Sequence, residues 1–185
     1  MADITFTGAG TTTASRTSGI FTIPEFKSVS EKILTAVIYG LKNTITKAGG
    51  YYNDIGDVVA EWQSPEEYHN FPAFLAVWGD DSFTNTIAGG NSLGGYNAIG
   101  DLIIVAYLHE KEDMRIAKDR IKHDVLKYFG TNFQIPDASG NSTAFNSVVQ
   151  RVSPWGGKEE KPRGGLEFLV KVYYRFELTN PAQSF

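Results

Sequence analysis

The sequence predicts an α+β fold, in which two main helices pack on one face of a mainly antiparallel, mixed sheet of about four to five strands. Three observations predict it. Apolar residues recur at helical spacing in two segments, they alternate with polar residues along one C-terminal segment, and glycine-rich stretches separate these parts. The predicted order along the chain is helix, strands, helix and a final hairpin. Long loops and a flexible N-terminal arm complete the expected architecture.

Composition and charge restrict the class of protein. The 185 residues suit one domain, which we place at 28–185, preceded by an arm at 1–27. The net charge of −4 and the pI of 5.4 argue against a dedicated nucleic-acid-binding protein. Cysteine is absent, which excludes disulfides and thiolate chemistry. Because no apolar run is long enough for a bilayer and no signal-peptide pattern is present, we expect a cytoplasmic origin.

The N-terminal arm is rich in small and hydroxylated residues. Residues 1–19 hold few large apolar side chains, so they bury too little surface to offset the entropy lost on ordering. Two interpretations stay open for them: a flexible leader, or an arm that orders against a partner on assembly. The next segment, 20–26, is more apolar and is suited to docking on the body.

Two segments have the spacing of amphipathic helices. In the first, 28–48, a capping box joins the first residue to Glu31, and a pair of glycines follows the last turn. The second, 112–129, has Asp113 in its first turn and Gly130 as its expected end. The stripes expected to face the core are Ile33, Leu34, Val37, Ile38, Leu41 and Ile45, and then Met114, Ala117, Ile121, Val125 and Tyr128.

The part of the chain between the helices predicts strands and one long loop. Residues 51–62 indicate a turn into a strand, and 73–78 indicate a short, interior strand that is almost wholly apolar. The polar, glycine-rich stretch 79–95 is predicted to be a loop of functional length. Residues 98–109 are apolar on both faces, so they should form a central strand that is covered on both sides.

The stretch 166–178 carries the strongest strand signal in the chain. Every second residue from Leu166 to Leu178 is apolar or aromatic, and the alternate positions are mostly charged or amphipathic. With 148–152 it should form a hairpin whose tip is the loop 154–165. At about 3.3 Å per residue it spans roughly 40 Å, which is longer than the predicted sheet needs. Its end therefore either projects freely or pairs with a neighbouring subunit.

No arrangement of residues typical of an active site is present. His69, His109 and His123 are far apart in sequence and lack the spacing of metal ligands. The acidic pair Asp80 and Asp81 lies in a predicted loop, where charges are normally solvated. We therefore expect no enzymatic activity, no cofactor and no metal.

The order of several short stretches forms a recognisable layout. A capped helix leads into AGGYYNDIGDVVAEW, and FPAFLAVWGDD follows an acidic loop bounded by prolines. A hydrophobic strand then ends in YLHEKED, and an amphipathic helix precedes the final VKVYYRFEL. This layout resembles the tail terminator proteins of long-tailed bacteriophages, also called tail completion or minor tail proteins. The resemblance covers 28–178 and includes Gly50-Tyr51 with Asp54, and Phe71-Pro72-Ala73.

The resemblance implies a structural virion protein. Tail terminators are α+β proteins that form hexameric rings. The ring caps the finished tail tube, stops its polymerisation and offers a surface for head–tail joining, while DNA passes through its lumen. The implied partners are further copies of the chain, the tail tube protein and a head-completion or connector protein, in a virion tail assembled in the host cytoplasm. An acidic chain suits such a conduit, because it repels the DNA that moves through it.

A ring of this kind needs two different, complementary surfaces on each subunit. We place the candidate contacts at the hairpin tip, on the polar face of the last strand and in the long loop. The candidates are Trp155, Lys158, Lys161 and Arg163 at the tip, Lys171 and Arg175 on the strand, and Asp80 and Asp81 in the loop. Tryptophan and arginine are enriched among interface hot spots, and we expect the tip to lie outside the core. The alternative is an exposed loop with an incidental tryptophan.

Other functions stay open at this point. One is another neck or tail component, either a head–tail connector or a tail-tube subunit. A tube subunit would form a stacked polymer, whereas a terminator should stop at one ring. Another is a small-molecule enzyme or binding protein with 79–95 as its lid, which requires a concave apolar pocket. A third is a soluble domain of another role.

Overall fold

The computed structural model describes residues 11–16, 19–24, 28–60, 67–85, 95–109, 113–156 and 163–177. They form two α-helices and seven strands. The strands are β1 (Thr11–Arg16), β2 (Gly19–Pro24), β3 (Asp57–Val59), β4 (Ala73–Asn85), β5 (Gly95–His109), β6 (Asn146–Gly156) and β7 (Arg163–Glu177), and the helices are α1 (Val29–Thr44) and α2 (Met114–Thr131). Neither of these helices is both long and apolar enough to cross a membrane.

Five strands form one mixed sheet in the order β3-β4-β5-β7-β6. Only β3 and β4 run parallel, and the other three neighbouring pairs are antiparallel. The structure therefore confirms an α+β fold with a mainly antiparallel sheet. It also confirms that the strand predicted at 98–109 is central, because β5 lies in the middle of the order.

The N-terminal arm contains a hairpin that the composition did not predict. Strands β1 and β2 pair antiparallel in a separate two-stranded sheet, from Thr11 opposite Pro24 to Arg16 opposite Gly19. Threonine and isoleucine are β-branched and favour extended backbone even where little apolar surface is available. The choice between a leader and an arm that orders on assembly stays a prediction.

Helix α1 begins where the capping box predicts. The Ser28 hydroxyl accepts a hydrogen bond from the Glu31 N–H at 3.2 Å, and the Glu31 carboxylate accepts one from the Ser28 N–H at 2.6 Å. The helix ends at Thr44, four residues before the predicted end at 48. A separate 3-10 turn, Lys47–Gly49, follows, because the Thr46 side chain caps it by accepting a bond from the Gly49 N–H.

Helix α2 runs through the glycine that was expected to end it. Its first turn is capped by Asp113, whose carboxylate accepts a hydrogen bond from the Arg115 N–H at 2.9 Å. The helix continues past Gly130 to Thr131, and Asn132 then caps it by donating from its backbone and side chain to the Tyr128 carbonyl. The predicted end at Gly130 is wrong, because an asparagine cap replaces the glycine cap.

One buried carboxylate joins α2 to the chain that leads into β3. Asp124 is fully buried and accepts hydrogen bonds from the Tyr52 N–H at 2.9 Å, the Asn53 N–H at 3.0 Å and the Asn53 side-chain amide at 2.8 Å. A buried charge is tolerated only when its lone pairs are satisfied in this way. The contact fixes the segment after α1 against the second helix.

Side chains from both helices belong to the main core cluster. The predicted stripe residues Ile33, Val37, Leu41 and Ile45 are fully buried there. They share the cluster with Leu102, Ile104, Phe168, Val170 and Val172, as the sequence predicts for the even positions of the last strand. A second cluster on the opposite face of the sheet contains Tyr68, Ala73, Leu75, Val105 and Tyr107.

We predict that Leu41→Ala lowers the free energy of unfolding by about 2–5 kcal/mol, because the side chain is 0% exposed and its removal leaves a cavity. Urea denaturation followed by circular dichroism measures this loss. The matched control is Leu126→Ala on α2, where the leucine is 41% exposed and the expected loss is under about 1 kcal/mol. Equal losses in the two variants would contradict the assigned core.

Candidate interaction surface

The sheet is longer than the helices that accompany it. Strands β5 and β7 have 15 residues each, which corresponds to about 50 Å. The 16 residues of α1 and the 18 of α2 correspond to about 24 and 27 Å. Neither helix is therefore long enough to accompany the full strands. We name residues 79–85, 95–101 and 171–177 the sheet extension.

The extension replaces part of a predicted loop. Residues 79–85 continue β4 and residue 95 begins β5, so the prediction of a loop over 79–95 is wrong at both ends. Residues 86–94 lie outside the described residues. The strand continues past its glycine and aspartates because the register with β5 shifts between Trp78 and Asp81. A bulge of this kind accommodates residues that a regular strand disfavours.

Tryptophan 78 stabilises the bulge. Its indole N–H donates to the Asp81 carboxylate at 2.9 Å, and its ring meets the Tyr174 ring edge-on at 5.8 Å. The ring also covers Gly100 on β5, where a Cβ atom would lie 2.2 Å from the indole Cζ2. Burial, and then the nearby Asp81 carboxylate, raise the pKa of Tyr174. Asp81 is therefore part of the bulge and not of a mobile loop.

The opposite face of the extension carries an ion pair. Lys171 on β7 lies directly across from Asp101 on β5, and the two side chains form a salt bridge. Further along β7, Glu167 accepts from Arg151 of β6 at 3.4 Å. The sequence predicted that the charged face of the last strand pairs across a subunit boundary. In the structure Lys171 and Glu167 already have partners within the chain.

We call the sheet face that carries Ile103 and Leu169 the open face. At one end it is buried, because Tyr68 stacks on Tyr107 with ring centroids 4.9 Å apart. Burial raises the pKa of Tyr68 to about 12, with smaller contributions from Tyr107 and from nearby carboxylates. Towards the extension the face becomes exposed: Ile103 and Leu169 are half-buried, Tyr173 is 37% exposed and Val148 is 47% exposed.

The proposed overhang of the last strand is wrong. Strand β7 pairs with β5 over its whole length, from Glu177 opposite Gly95 to Arg163 opposite His109. The sequence suggested an overhang because it placed the start of β5 at residue 98 and so made the partner strand too short. In this part of the sheet residues 146–148 of β6 also pair with 171–173 of β7, and Ala98, Val172 and Tyr174 belong to the main core cluster. Leu178 lies outside the described residues.

Trp155 lies in strand β6 and not at a hairpin tip. It pairs with Gly165, and its ring meets the Tyr107 ring edge-on at 5.1 Å, so it packs on the second core cluster. Glycine is required at 165, because a Cβ there would lie 1.8 Å from the Ala106 carbonyl oxygen and 2.7 Å from the Trp155 indole nitrogen. The expectation that this tryptophan lies outside the core is wrong. The sequence missed it because the contact joins strands distant along the chain.

The predicted site residues divide into two groups. Asp80, Asp81, Lys171 and Arg175 lie together in the sheet extension. Trp155 and Arg163 lie at the other end of the sheet, and Lys158 and Lys161 lie outside the described residues. The six residue steps from Gly165 to Lys171 correspond to about 20 Å along β7. The two groups are therefore separate surfaces.

An open cleft of about 360 Å³ lies near the buried end of the open face. Its lining includes His69, His109, Phe71 and Asn53, and the rings of Phe71 and His109 are 5.3 Å apart. The side-chain amide of Asn53 is held by Asp124, as described above. Among the residues that the structure describes, no three potential metal-ligating side chains lie together.

We predict that Gly100→Ala lowers the free energy of unfolding by about 1–3 kcal/mol, because the rigid indole of Trp78 must move to admit a methyl group. The control is Gly130→Ala in α2, where nothing lies within 4 Å of the added Cβ. This control should gain about 0.5–1 kcal/mol from helix propensity. A Gly100→Ala variant as stable as the parent would show that Trp78 does not cover β5.

We also predict that Trp155→Ala destabilises the fold by about 2–3 kcal/mol, less than the loss of a fully buried tryptophan. The reason is the lost contact with Tyr107, so Trp155→Phe should retain much of the stability. Thermal and urea unfolding of the two variants measure the difference. If Trp155→Ala unfolds at the parent's urea midpoint, the ring belongs to the surface after all.

Comparison with family models finds no match for this chain, and comparison with curated proteins finds none either.

Proposed function

We propose that the protein is a structural virion subunit that forms a ring on the end of a phage tail tube. The ring ends tube polymerisation and provides the surface on which the head joins. The observation that carries this proposal is the sheet extension: three long strands with an exposed, partly apolar face and four of the candidate contact residues. Exposed apolar patches of this kind are typical of interaction sites.

The two edges of the sheet support association in a ring. Strand β3 pairs only with Ala73–Leu75 of β4, so the outer side of β4 from residue 76 onward faces no strand among the described residues. On the other side of the sheet, β6 is likewise an edge strand over its described length. Unpaired edges favour strand pairing with another chain. A subunit with two different edges meets the requirement of a closed ring.

The charge of the chain is consistent with a DNA conduit. A net charge of −4 gives a lumen little attraction for phosphate, so that DNA is able to move through it. The partners in this proposal are further copies of the chain, the tail tube protein and a head-completion or connector protein. The protein acts in the virion tail, needs no cofactor and has no enzymatic role.

The cleft beside His69 and His109 favours a second candidate, a small-molecule binding protein or enzyme. Histidine side chains next to an aromatic ring are able to orient a polar ligand. This candidate predicts a monomer that binds its ligand in the cleft, whereas the ring does not need the cleft. Oligomeric state therefore separates the two functions.

We predict that native mass spectrometry of the purified protein gives one discrete species at about six times the 20.4 kDa chain mass. Negative-stain images of the same sample should show closed rings. Added to polymerising tube subunits of its phage, the ring should cap the tubes and stop their growth. An open-ended polymer would indicate a tube subunit instead, and a monomer at every concentration would contradict the proposal.

A further inference from the structure

A groove of about 250 Å³ lies between α2 and the edge strand β6. Its apolar lining consists of Val152, Pro154 and Leu166, and its helical wall consists of Arg115, Lys118, Asp119 and Lys122. The three cations are three and four positions apart, so they project from one side of α2. They outnumber the single acid, and the groove is therefore positive in a chain that is negative overall.

The charge and polarity of the groove lining indicate which kind of molecule fits the groove. A positive wall above an apolar floor fits an extended segment that carries both acidic and apolar side chains. A nucleic acid fits less well, since the wall contains the carboxylate of Asp119 and the whole chain is acidic. The adjoining strand β6 lies at the edge of the sheet, so it also offers backbone groups to an added strand.

The chain itself contains such a segment on the opposite edge of the sheet. In the extension of β4, Asp80 is exposed, Asp81 is half-buried and Phe83 is 59% exposed. This part of β4 lies beyond the three residues that pair with β3. Acidic and apolar side chains therefore occur together on an extended segment at an edge.

The strand directions are compatible with contact between these two edges. Each step from β4 to β5, β7 and β6 is antiparallel, so β4 and β6 run in opposite directions. In two copies with the same orientation, β4 of one copy would lie antiparallel to β6 of the next. Residues 81–83 are level with 172–174 of β7, whereas Val152 and Pro154 are level with Phe168 and Leu166. The contact therefore requires neighbouring copies to be displaced by about six residues, roughly 20 Å, along the strands. Pro154 has no N–H to donate, so the side chains of the groove contribute to the contact beside the backbone.

We infer that the groove between α2 and β6 receives residues 79–83 of a second copy. Asp80 meets the cationic wall of Arg115, Lys118 and Lys122, and Phe83 meets the apolar floor. The inference rests on the proposed function, because it identifies the contact that closes the ring.

The test uses charge reversal on each side of the contact. Arg115→Glu with Lys122→Glu makes the wall acidic, and Asp80→Lys makes the inserted segment basic. Each variant alone brings like charges together and should weaken association at least about tenfold, as measured by analytical ultracentrifugation. A mixture of the two variants should assemble again. The acidic wall of one variant then meets the basic segment of the other, and the unchanged basic wall meets the unchanged acidic segment.

The matched control is Lys42→Glu with Lys47→Glu, which makes the same change in net charge at exposed positions outside the groove. This control should assemble like the parent. Circular dichroism establishes that each variant is folded, and Arg115→Ala with Lys122→Ala provides a milder change, expected to weaken assembly less than the reversal. Raising the salt concentration should weaken the parent assembly, because screening reduces attraction between exposed charges.

Assembly of the Arg115→Glu, Lys122→Glu variant at the parent's affinity would overturn this inference and leave the proposed ring intact. The same holds if the mixture of folded variants stays dissociated. A parent protein that is monomeric at every concentration would instead overturn the proposed function, and this contact with it.

Discussion

The structure depends on the antiparallel pairing of β5 with β7 over 15 residues. Every other part of the sheet is attached to this pair, with β4 on one side and β6 on the other. Its register also separates the two faces, because a slip of one residue would turn Glu167 and Lys171 into the main core. The Asp101–Lys171 pair lies directly across these two strands, so it favours the observed register.

The length of this pairing explains why part of the sheet surface stays exposed. Backbone hydrogen bonds satisfy β5 on both sides along the sheet, which keeps the strands extended. The apolar side chains are not all buried, since Tyr173 and Val148, which lie towards the extension, stay exposed. Burial of these apolar side chains against another chain would be favourable, because their surface would then be removed from water.

The sequence predicted what local patterns determine. The capping box at Ser28 and the stripe from Ile33 onward depend on spacing within one helix, and both are present. The bulge after Trp78 was missed because it depends on Gly100, which is a neighbour only in the folded sheet. Trp155 was misplaced for the same reason, since Gly165 and Tyr107 hold its ring.

Charge also decides between two kinds of assembly. An isologous dimer through β6 would place two cationic grooves against each other, with Arg115, Lys118 and Lys122 facing their own copies. An isologous dimer through the extension of β4 would likewise oppose Asp80 and Asp81 to themselves. Like charges across an interface cost several kcal/mol, so both arrangements are disfavoured. The proposed heterologous arrangement instead places the acidic edge of one copy against the basic groove of the next, so that mainly opposite charges meet.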